Sequence, residues 1–143
     1  MSFNVLIVDD SGSMRAIIKK IITISGFAMD QCFEAGNGKE AMEVLSENWI
    51  DIIVSDINMP EVNGLEFLDQ LRKNETLKEI PVIMITTEGS AERMQEAFNR
   101  GAKGFIKKPF LPEDIKKILF QVIGVSENGG YSEDKTIADE CDF

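Results

Sequence analysis

Short apolar runs recur along the chain and predict its strands. Runs without a polar interruption suit central parallel strands, because helices cover both faces of such strands. Runs of this kind occupy Val5–Val8, Ile52–Val54 and Val82–Ile85, and a shorter one lies at Phe105-Ile106. The segment Ala28–Glu34 has weaker strand character, which indicates a partly exposed edge strand. The pattern therefore predicts five strands.

Apolar residues with helical spacing fill the intervals between these runs. In the first interval they follow the i, i+3, i+4, i+7, i+8 spacing of one buried stripe. The stripe consists of Met14, Ile17, Ile18, Ile21 and Ile22. Ser11 or Ser13 is suited to cap this helix at its start, and Gly26 is suited to end it.

Four further helices are predicted. They span Lys39–Glu47, Gly64–Lys73, Ala91–Arg100 and a last segment with the stripe Ile115, Ile118, Leu119, Val122 and Ile123. The helix Ala91–Arg100 is expected to bury Met94, Ala97 and Phe98. Five strands that alternate with five helices predict an α/β fold, a doubly wound parallel sheet with right-handed crossovers. Sheets of this kind bind ligands at the carboxyl ends of their strands.

The composition changes near the end of the chain. The 143 residues, of which 43% are hydrophobic, fit a single domain. Residues 126–143 contain six acidic residues and one lysine, so this segment has a net charge of −5. That is half of the total net charge of −10. We therefore expect a folded domain over residues 1–125 and an acidic, disordered tail over residues 126–143.

Charge and composition exclude several classes of function. A net charge of −10 argues against nucleic-acid binding, which requires a basic face. No apolar stretch approaches the 18 residues that would suggest a membrane span. The chain has two cysteines and no histidine, so neither a disulfide framework nor a zinc site is expected. We expect a cytoplasmic protein that does not insert into membranes.

Three carboxylates stand at the ends of predicted strands. Asp9 and Asp10 follow the first strand directly, and Asp56 follows the third. These strands are expected to be neighbours at the point where strand order reverses, so the three side chains converge. Three crowded anions are unfavourable unless a cation lies among them, and oxygen ligands of this kind favour Mg²⁺.

A hydroxyl and an ammonium are expected at the same edge. Thr86 ends the fourth predicted strand, and Lys108 ends the fifth, beside Pro109. Thr87 and Lys107 stand next to them as competing candidates. A carboxylate nucleophile, Mg²⁺, a hydroxyl and a lysine are the groups that phosphoryl transfer onto an aspartate requires.

This order of motifs resembles the receiver domains of response regulators, in particular the single-domain chemotaxis type. The resemblance rests on Asp9-Asp10, Asp56, Thr86 and Lys108-Pro109, and it covers residues 3–124. It implies a flavodoxin-like sheet with strand order 2-1-3-4-5.

The resemblance also implies roles for individual residues. Asp56 would be the phosphoacceptor. Asp10 would bind Mg²⁺ directly, and Asp9 mostly through water. Asn58 would contribute its backbone carbonyl to the metal.

Other roles implied by the resemblance concern switching and hydrolysis. Thr86 would be the switch hydroxyl and Lys108 the lysine that pairs with the phosphoryl group. Phe105 would be the switch aromatic. An equal alternative is that Phe105 is an ordinary core residue. Asn58 and Glu88 match the pair that flanks the acyl phosphate in the chemotaxis type, and we expect them to tune its hydrolysis.

The expected function is that of a stand-alone response regulator. A histidine kinase would phosphorylate Asp56, and the face formed by helix 4, strand 5 and helix 5 would bind a protein target. Catalysis would be limited to the protein's own phosphorylation and dephosphorylation, so it is not expected to be an enzyme.

Alternatives exist both within the family and outside it. Within the family, the protein could be a phosphate sink or a phosphorelay intermediate. A phosphatase with an aspartyl nucleophile would need a second aspartate where Asn58 stands. A flavin-binding module would need a phosphate-cradling loop after the first strand, where the chain is acidic instead.

Overall fold

The computed structural model describes residues 2–57, 63–87, 91–108 and 110–123. The strands are β1 (Phe3–Val8), β2 (Met29–Ala35), β3 (Ile52–Asp56), β4 (Val82–Thr86) and β5 (Gly104–Lys107). The helices are α1 (Gly12–Ser25), α2 (Gly38–Glu47), α3 (Gly64–Arg72), α4 (Ala91–Asn99) and α5 (Pro112–Ile123). Within these ranges, no helix has both the length and the apolar character needed to cross a membrane. The predicted tail over residues 126–143 lies outside the described residues.

The five strands form one parallel sheet in the order β2-β1-β3-β4-β5. This confirms the predicted fold class and strand order. It also confirms that β2 is an edge strand, which explains its mixed burial and weak apolar pattern. Because β1 and β3 are neighbours, with Val8 paired to Ser55, their carboxyl ends meet at one edge of the sheet.

Two apolar cores lie on the two faces of the sheet. The first, which we call the α1/α5 face, packs Ile18 and Ile22 of α1 and Ile115 and Leu119 of α5 against the strands. The second, the α2/α3/α4 face, receives the buried residues of the other three helices, namely Ala41, Leu45, Leu65, Phe67, Leu68, Leu71 and Ala97. Each large apolar side chain buried in this way contributes about 1.5–3 kcal/mol. Side chains alternate between the two faces along β1, β3, β4 and β5, and this alternation decides which residues reach the site.

The first helix has the predicted ends but a narrower buried stripe. The Ser11 hydroxyl accepts the Met14 N–H at 3.1 Å, which decides between the two candidate caps, and Gly26 ends the helix at φ 90°. The prediction that Ile17 belongs to the buried stripe is wrong, since its side chain is 49% exposed. The buried line runs through Ile18 and Ile22, and Ile17 lies one residue, or about 100°, around the helix from Ile18.

The buried face predicted for α4 is also wrong in part. Ala97 is fully buried, but Met94 is 36% exposed and Phe98 is 41% exposed. The physical reason is position: α4 packs beside β5, which has only four residues and forms the edge of the sheet. A helix at the edge has less sheet to cover, so part of its apolar surface faces solvent.

Candidate functional site

Two neighbouring strands bring three carboxylates together. Asp9 and Asp10 follow β1 directly, and Asp56 is the last residue of β3. One oxygen from each of the three carboxylates lies within 4.8 Å of the other two. Asp9 is 2% exposed and Asp56 is 9% exposed, whereas Asp10 faces solvent. The structure therefore brings together the acidic cluster that the sequence predicted.

Both carboxylate oxygens of Asp9 have protein partners. Oδ1 accepts the backbone N–H of Ser11 at 2.9 Å, and Oδ2 lies 3.5 Å from Nζ of Lys108. The side chains of Asp9 and Lys108 are only 3% and 13% exposed. Desolvation of two charges is unfavourable unless they are paired, so the contact with Lys108 offsets part of the cost of burying the Asp9 side chain.

Alternation along β5 explains why Lys108 rather than Lys107 enters the cluster. Ile106 packs into the core of the α1/α5 face, so the residue two positions further on points to the same side. Lys107 points to the other side and is exposed. The backbone N–H of Lys108 donates to the carbonyl of Thr86 at 2.7 Å, which fixes the lysine beside the end of β4.

The two candidate switch residues lie on the same face of the sheet. Thr86 ends β4 and is fully buried, whereas Thr87 is exposed. Met84 pairs in register with Phe105 of β5, and alternation puts Thr86 on the same face as Met84. Phe105 is half-buried and packs against the α2/α3/α4 core. A movement of the Thr86 side chain would therefore affect packing on the side of the sheet that α4 covers.

Arg15 belongs to this site, and sequence reasoning missed it. One terminal nitrogen (Nη1) of its guanidinium donates to the backbone carbonyl of Asp9 at 2.6 Å, and Nε donates to Glu34 of β2 at 2.9 Å. The arginine thus ties the acidic loop after β1 to the end of β2. The sequence does show a single cation in the helical turn that follows two aspartates. It does not show that Arg15 contacts β2, because that contact depends on tertiary packing.

Gly64, at the start of α3, also supports the site. Its N–H donates to the carbonyl of Ile57 at 2.8 Å, directly after Asp56. A Cβ at this position would overlap the carbonyl oxygen of Asp56 and lie 2.7 Å from the Cα of Ile57. Only a residue without a side chain allows α3 to approach the end of β3 this closely. The sequence predicted Gly64 as the start of a helix and gave no sign of this contact.

Three residues of the predicted site lie outside the described residues. Asn58 and Glu88, assigned to metal binding and hydrolysis, are two of them, and Pro109 is the third. Their roles therefore stay predictions. Of the residues that the sequence predicted for the site, the structure describes the three aspartates, Thr86, Phe105 and Lys108.

The donor set fits a hard divalent cation. Three carboxylates offer only oxygen atoms, and the chain contains no histidine. Oxygen ligands select Mg²⁺ or Ca²⁺ over zinc or copper, and Mg²⁺ keeps several waters that a phosphoryl oxygen can replace. The acidic cluster is thus a candidate metal site.

Comparison with known families agrees with the fold. Residues 5–120 match the response regulator receiver domain. The chain belongs to this family, whose members are the receivers of two-component signalling.

Proteins similar to this chain include several chemotaxis proteins. The chain is 39% identical over 129 residues to a chemotaxis protein CheY homolog of Campylobacter jejuni, covering 90% of this chain and 98% of that protein. It is 42% identical over 123 residues to CheY1 of Helicobacter pylori, covering 85% and 98%. A high-resolution structure of the chemotaxis response regulator CheY4 of Vibrio cholerae superposes with a TM-score of 0.76 at 37% identity, covering 85% of this chain and 99% of that one. The protein is therefore a CheY-like receiver domain.

Proposed function

We propose that this protein is a phospho-accepting response regulator in which a histidine kinase transfers a phosphoryl group to Asp56 in a reaction that requires Mg²⁺. The observation that carries this proposal is the convergence of three carboxylates with a lysine at the carboxyl ends of the strands. The oxygens of Asp9, Asp10 and Asp56 lie within 4.8 Å of one another, and Nζ of Lys108 lies 3.5 Å from Asp9.

In this reaction Asp56 is the nucleophile. A carboxylate oxygen of Asp56 forms a bond to phosphorus while the bond from phosphorus to the donor nitrogen breaks, which leaves an acyl phosphate on Asp56. Lys108 neutralises an oxygen of the transferred group with its ammonium. It already lies beside the cluster and is held there by its backbone contact with Thr86, so only its side chain has to move.

The acidic cluster would hold the metal. Asp10 and Asp56 would bind it directly, together with the backbone carbonyl of Asn58. Asp9 would act through water, because Ser11 and Lys108 already contact its two oxygens. When bound, Mg²⁺ neutralises negative charge on the phosphoryl oxygens. Asn58 and Glu88 would set how fast water hydrolyses the acyl phosphate.

Phosphorylation would be read on the face formed by α4, β5 and α5. The Thr86 hydroxyl would hydrogen-bond to the phosphoryl group, and Phe105 on the same sheet face would then change its packing beside α4. Three exposed apolar side chains on this part of the molecule support a docking role: Met94 and Phe98 on α4, and Leu111 just before α5 at 62%. These residues offer a protein target an apolar surface whose shape depends on α4.

A chemotaxis role is supported by the relatives from Campylobacter jejuni and Helicobacter pylori, which carry that function in their names. A phosphate sink or relay intermediate would use the same acidic cluster but would not need an exposed apolar α4, so the regulator role is preferred. A cytoplasmic location, a domain boundary at residue 125 and catalysis limited to the protein's own phosphorylation belong to the same proposal.

Phosphorylation with a small donor tests the proposal. Wild-type protein incubated with acetyl phosphate and Mg²⁺ is expected to gain one phosphoryl group, measured by intact mass. Neither Asp56→Asn nor wild type in EDTA should gain it. Asp30→Asn, which removes an exposed carboxylate from β2, is the matched control and should behave like wild type. Equal labelling of Asp56→Asn and wild type would overturn the assignment.

A further inference from the structure

A second concave surface lies at the opposite end of the sheet from the acidic cluster. It has a volume of about 460 Å³ and lies between the end of α2, the segment leading into β3 and the segment leading into β4. Its apolar walls include Trp49, Ile50, Leu77, Ile80 and Pro81. We call this surface the Trp49 groove. An occupant here would not touch the acidic cluster, α4 or α5.

Trp49 is held in place without being buried. Its side chain is 77% exposed, yet its indole Nε1–H donates to Asp51 at 3.0 Å. The side-chain amide of Asn4 donates to the carbonyl of Trp49 at 2.8 Å, and the backbone N–H of Asn4 donates to Asp51 at 2.8 Å. A large aromatic ring that is already fixed loses little entropy when a partner covers it, and tryptophan is enriched among the residues that dominate binding energy.

The charge around the groove selects the chemistry of its occupant. Glu47, Asp51 and Glu79 are among the residues that line it, and none of the lining residues is basic. The lysine nearest in sequence, Lys78, pairs with Glu75 at 3.1 Å. A cation is therefore attracted by the carboxylates and by the face of the indole ring.

The same negative charge disfavours two other occupants, namely the acidic C-terminal segment of this chain and a second copy of the chain. Residues 126–143 of this chain carry a net charge of −5, so the acidic rim repels them. A second copy that joined groove to groove would place one acidic rim against the other, which is unfavourable for like charges.

We propose that the Trp49 groove is a docking site for a cationic segment of a partner protein, with arginine or lysine side chains flanking an apolar anchor. The anchor fills the groove beside Trp49, and the flanking cations lie on the carboxylates of the rim. This goes beyond the proposed function, because the site needs neither phosphorylation of Asp56 nor the α4 surface. A partner can therefore occupy it in both states of the regulator.

A defined peptide tests the proposal on the full chain. The probe is a hexapeptide amide with two leucines flanked on each side by two arginines, and the control peptide has glutamates in place of the arginines. Binding is followed by the fluorescence of Trp49, the only tryptophan of the chain, and by amide and indole N–H chemical shifts in NMR. The arginine peptide is expected to shift the Trp49 indole signal and the amide signals of residues 45–51 and 76–80, and the glutamate peptide is not.

Matched variants separate the groove from general attraction to an acidic protein. Trp49→Ala is expected to weaken binding by about tenfold or more. Glu79→Lys is expected to weaken it by about threefold or more, with a smaller dependence on salt. Glu92→Lys makes the same charge change at an exposed position of α4 and should bind like wild type. Asp56→Asn should also bind like wild type, so this test is independent of phosphorylation.

Several results would overturn the proposal. One is the absence of binding by the arginine peptide, and another is binding that leaves the indole N–H unshifted. Equal losses in Glu79→Lys and Glu92→Lys would reduce the effect to net charge. Dimerisation that Trp49→Ala abolishes, measured by sedimentation, would make a second copy the occupant. An indole emission already typical of a covered ring in the free protein would make this chain's own residues the occupant.

Discussion

Nζ of Lys108 lies 3.5 Å from Oδ2 of Asp9, although 99 positions separate the two residues in the chain. Asp9 follows β1 and Lys108 follows β5, and these strands lie three places apart in the sheet, with β3 and β4 between them. The contact runs across the carboxyl ends of the strands, where the acidic cluster lies. It therefore places a positive charge inside the cluster before any phosphoryl group arrives.

Replacing Lys108 is expected to separate two effects. Lys108→Met should slow phosphorylation by acetyl phosphate at least about tenfold, because the transferred group loses a charge-assisted partner. Lys107→Met is the matched control, because this neighbouring lysine is exposed on the other side of β5, and it should keep the wild-type rate. Equal rates for the two variants, measured by intact mass over time, would contradict the role of Lys108.

The stability of the same variant should reveal the pairing with Asp9. Lys108→Met leaves a carboxylate that is 3% exposed without its cation, which should lower the free energy of unfolding by about 1–3 kcal/mol in urea. Adding Asp9→Asn should recover part of this loss, because the remaining charge is then removed. Additive losses in the double variant would show that the two side chains do not interact.

Removing one carboxylate of the cluster should have opposite effects with and without metal. Asp10→Asn relieves repulsion among three anions, so the metal-free protein should melt a few degrees higher, where roughly 1 kcal/mol corresponds to 2–8 °C for domains of this size range. The same variant should bind Mg²⁺ more weakly in calorimetry. Asp30→Asn, at an exposed position of β2, should change neither quantity. A lower melting temperature of Asp10→Asn in EDTA would contradict the crowding argument.

Two glycines that each begin a helix should respond differently to alanine. Gly64→Ala forces a Cβ against the backbone of Asp56 and Ile57, which cannot move without displacing the end of β3. We expect a loss of about 2 kcal/mol or more in stability, together with slower phosphorylation. Gly12 is the first residue of α1, and a Cβ there would meet nothing closer than the Arg15 side chain at 3.5 Å. Gly12→Ala should therefore be neutral or stabilising. Similar melting curves for the two variants would contradict the close approach at Gly64.

The thiol of Cys32 on β2 should react slowly. Burial raises its pKa above the ordinary value of 9.0, Lys19 opposes this shift and Glu34 adds to it. Fewer thiolates are therefore present at pH 8 than in an unfolded chain, so iodoacetamide should modify Cys32 more slowly in a folded Cys141→Ser variant than in urea. Because the unfolded thiol loses its proton first, stability from this group should fall as pH rises above about 9. A reaction midpoint below pH 9 in the folded variant would contradict the effect of burial.

The sequence predicted the sheet and the acidic cluster because their signals are local. An unbroken apolar run such as Val5–Val8 marks a covered strand, and a carboxylate directly after it must lie at the end of the sheet. The choice of Lys108 over Lys107 rested on the resemblance to the family. The structure supplies a physical reason, because alternation from Ile106 points Lys108 into the site.

The errors arose where burial depends on neighbouring elements. Spacing shows that Met94 and Phe98 share a face of α4, but it does not show that β5 is too short to cover that face. The partner of Arg15 lies on β2, and Gly64 closely approaches the end of β3. Both contacts form only when the chain folds. Neither contact leaves a periodic pattern, so neither could be read from the chain alone.

The most direct test of the central claim is to identify which carboxylate carries the phosphoryl group. Protein phosphorylated by acetyl phosphate in Mg²⁺ is reduced with borohydride, which converts an acyl phosphate to an alcohol, and the modified residue is located by peptide mass spectrometry. We predict one modified residue, Asp56, with none at Asp9 or Asp10. Modification at Asp9 or Asp10, or labelling that persists in EDTA, would contradict the account.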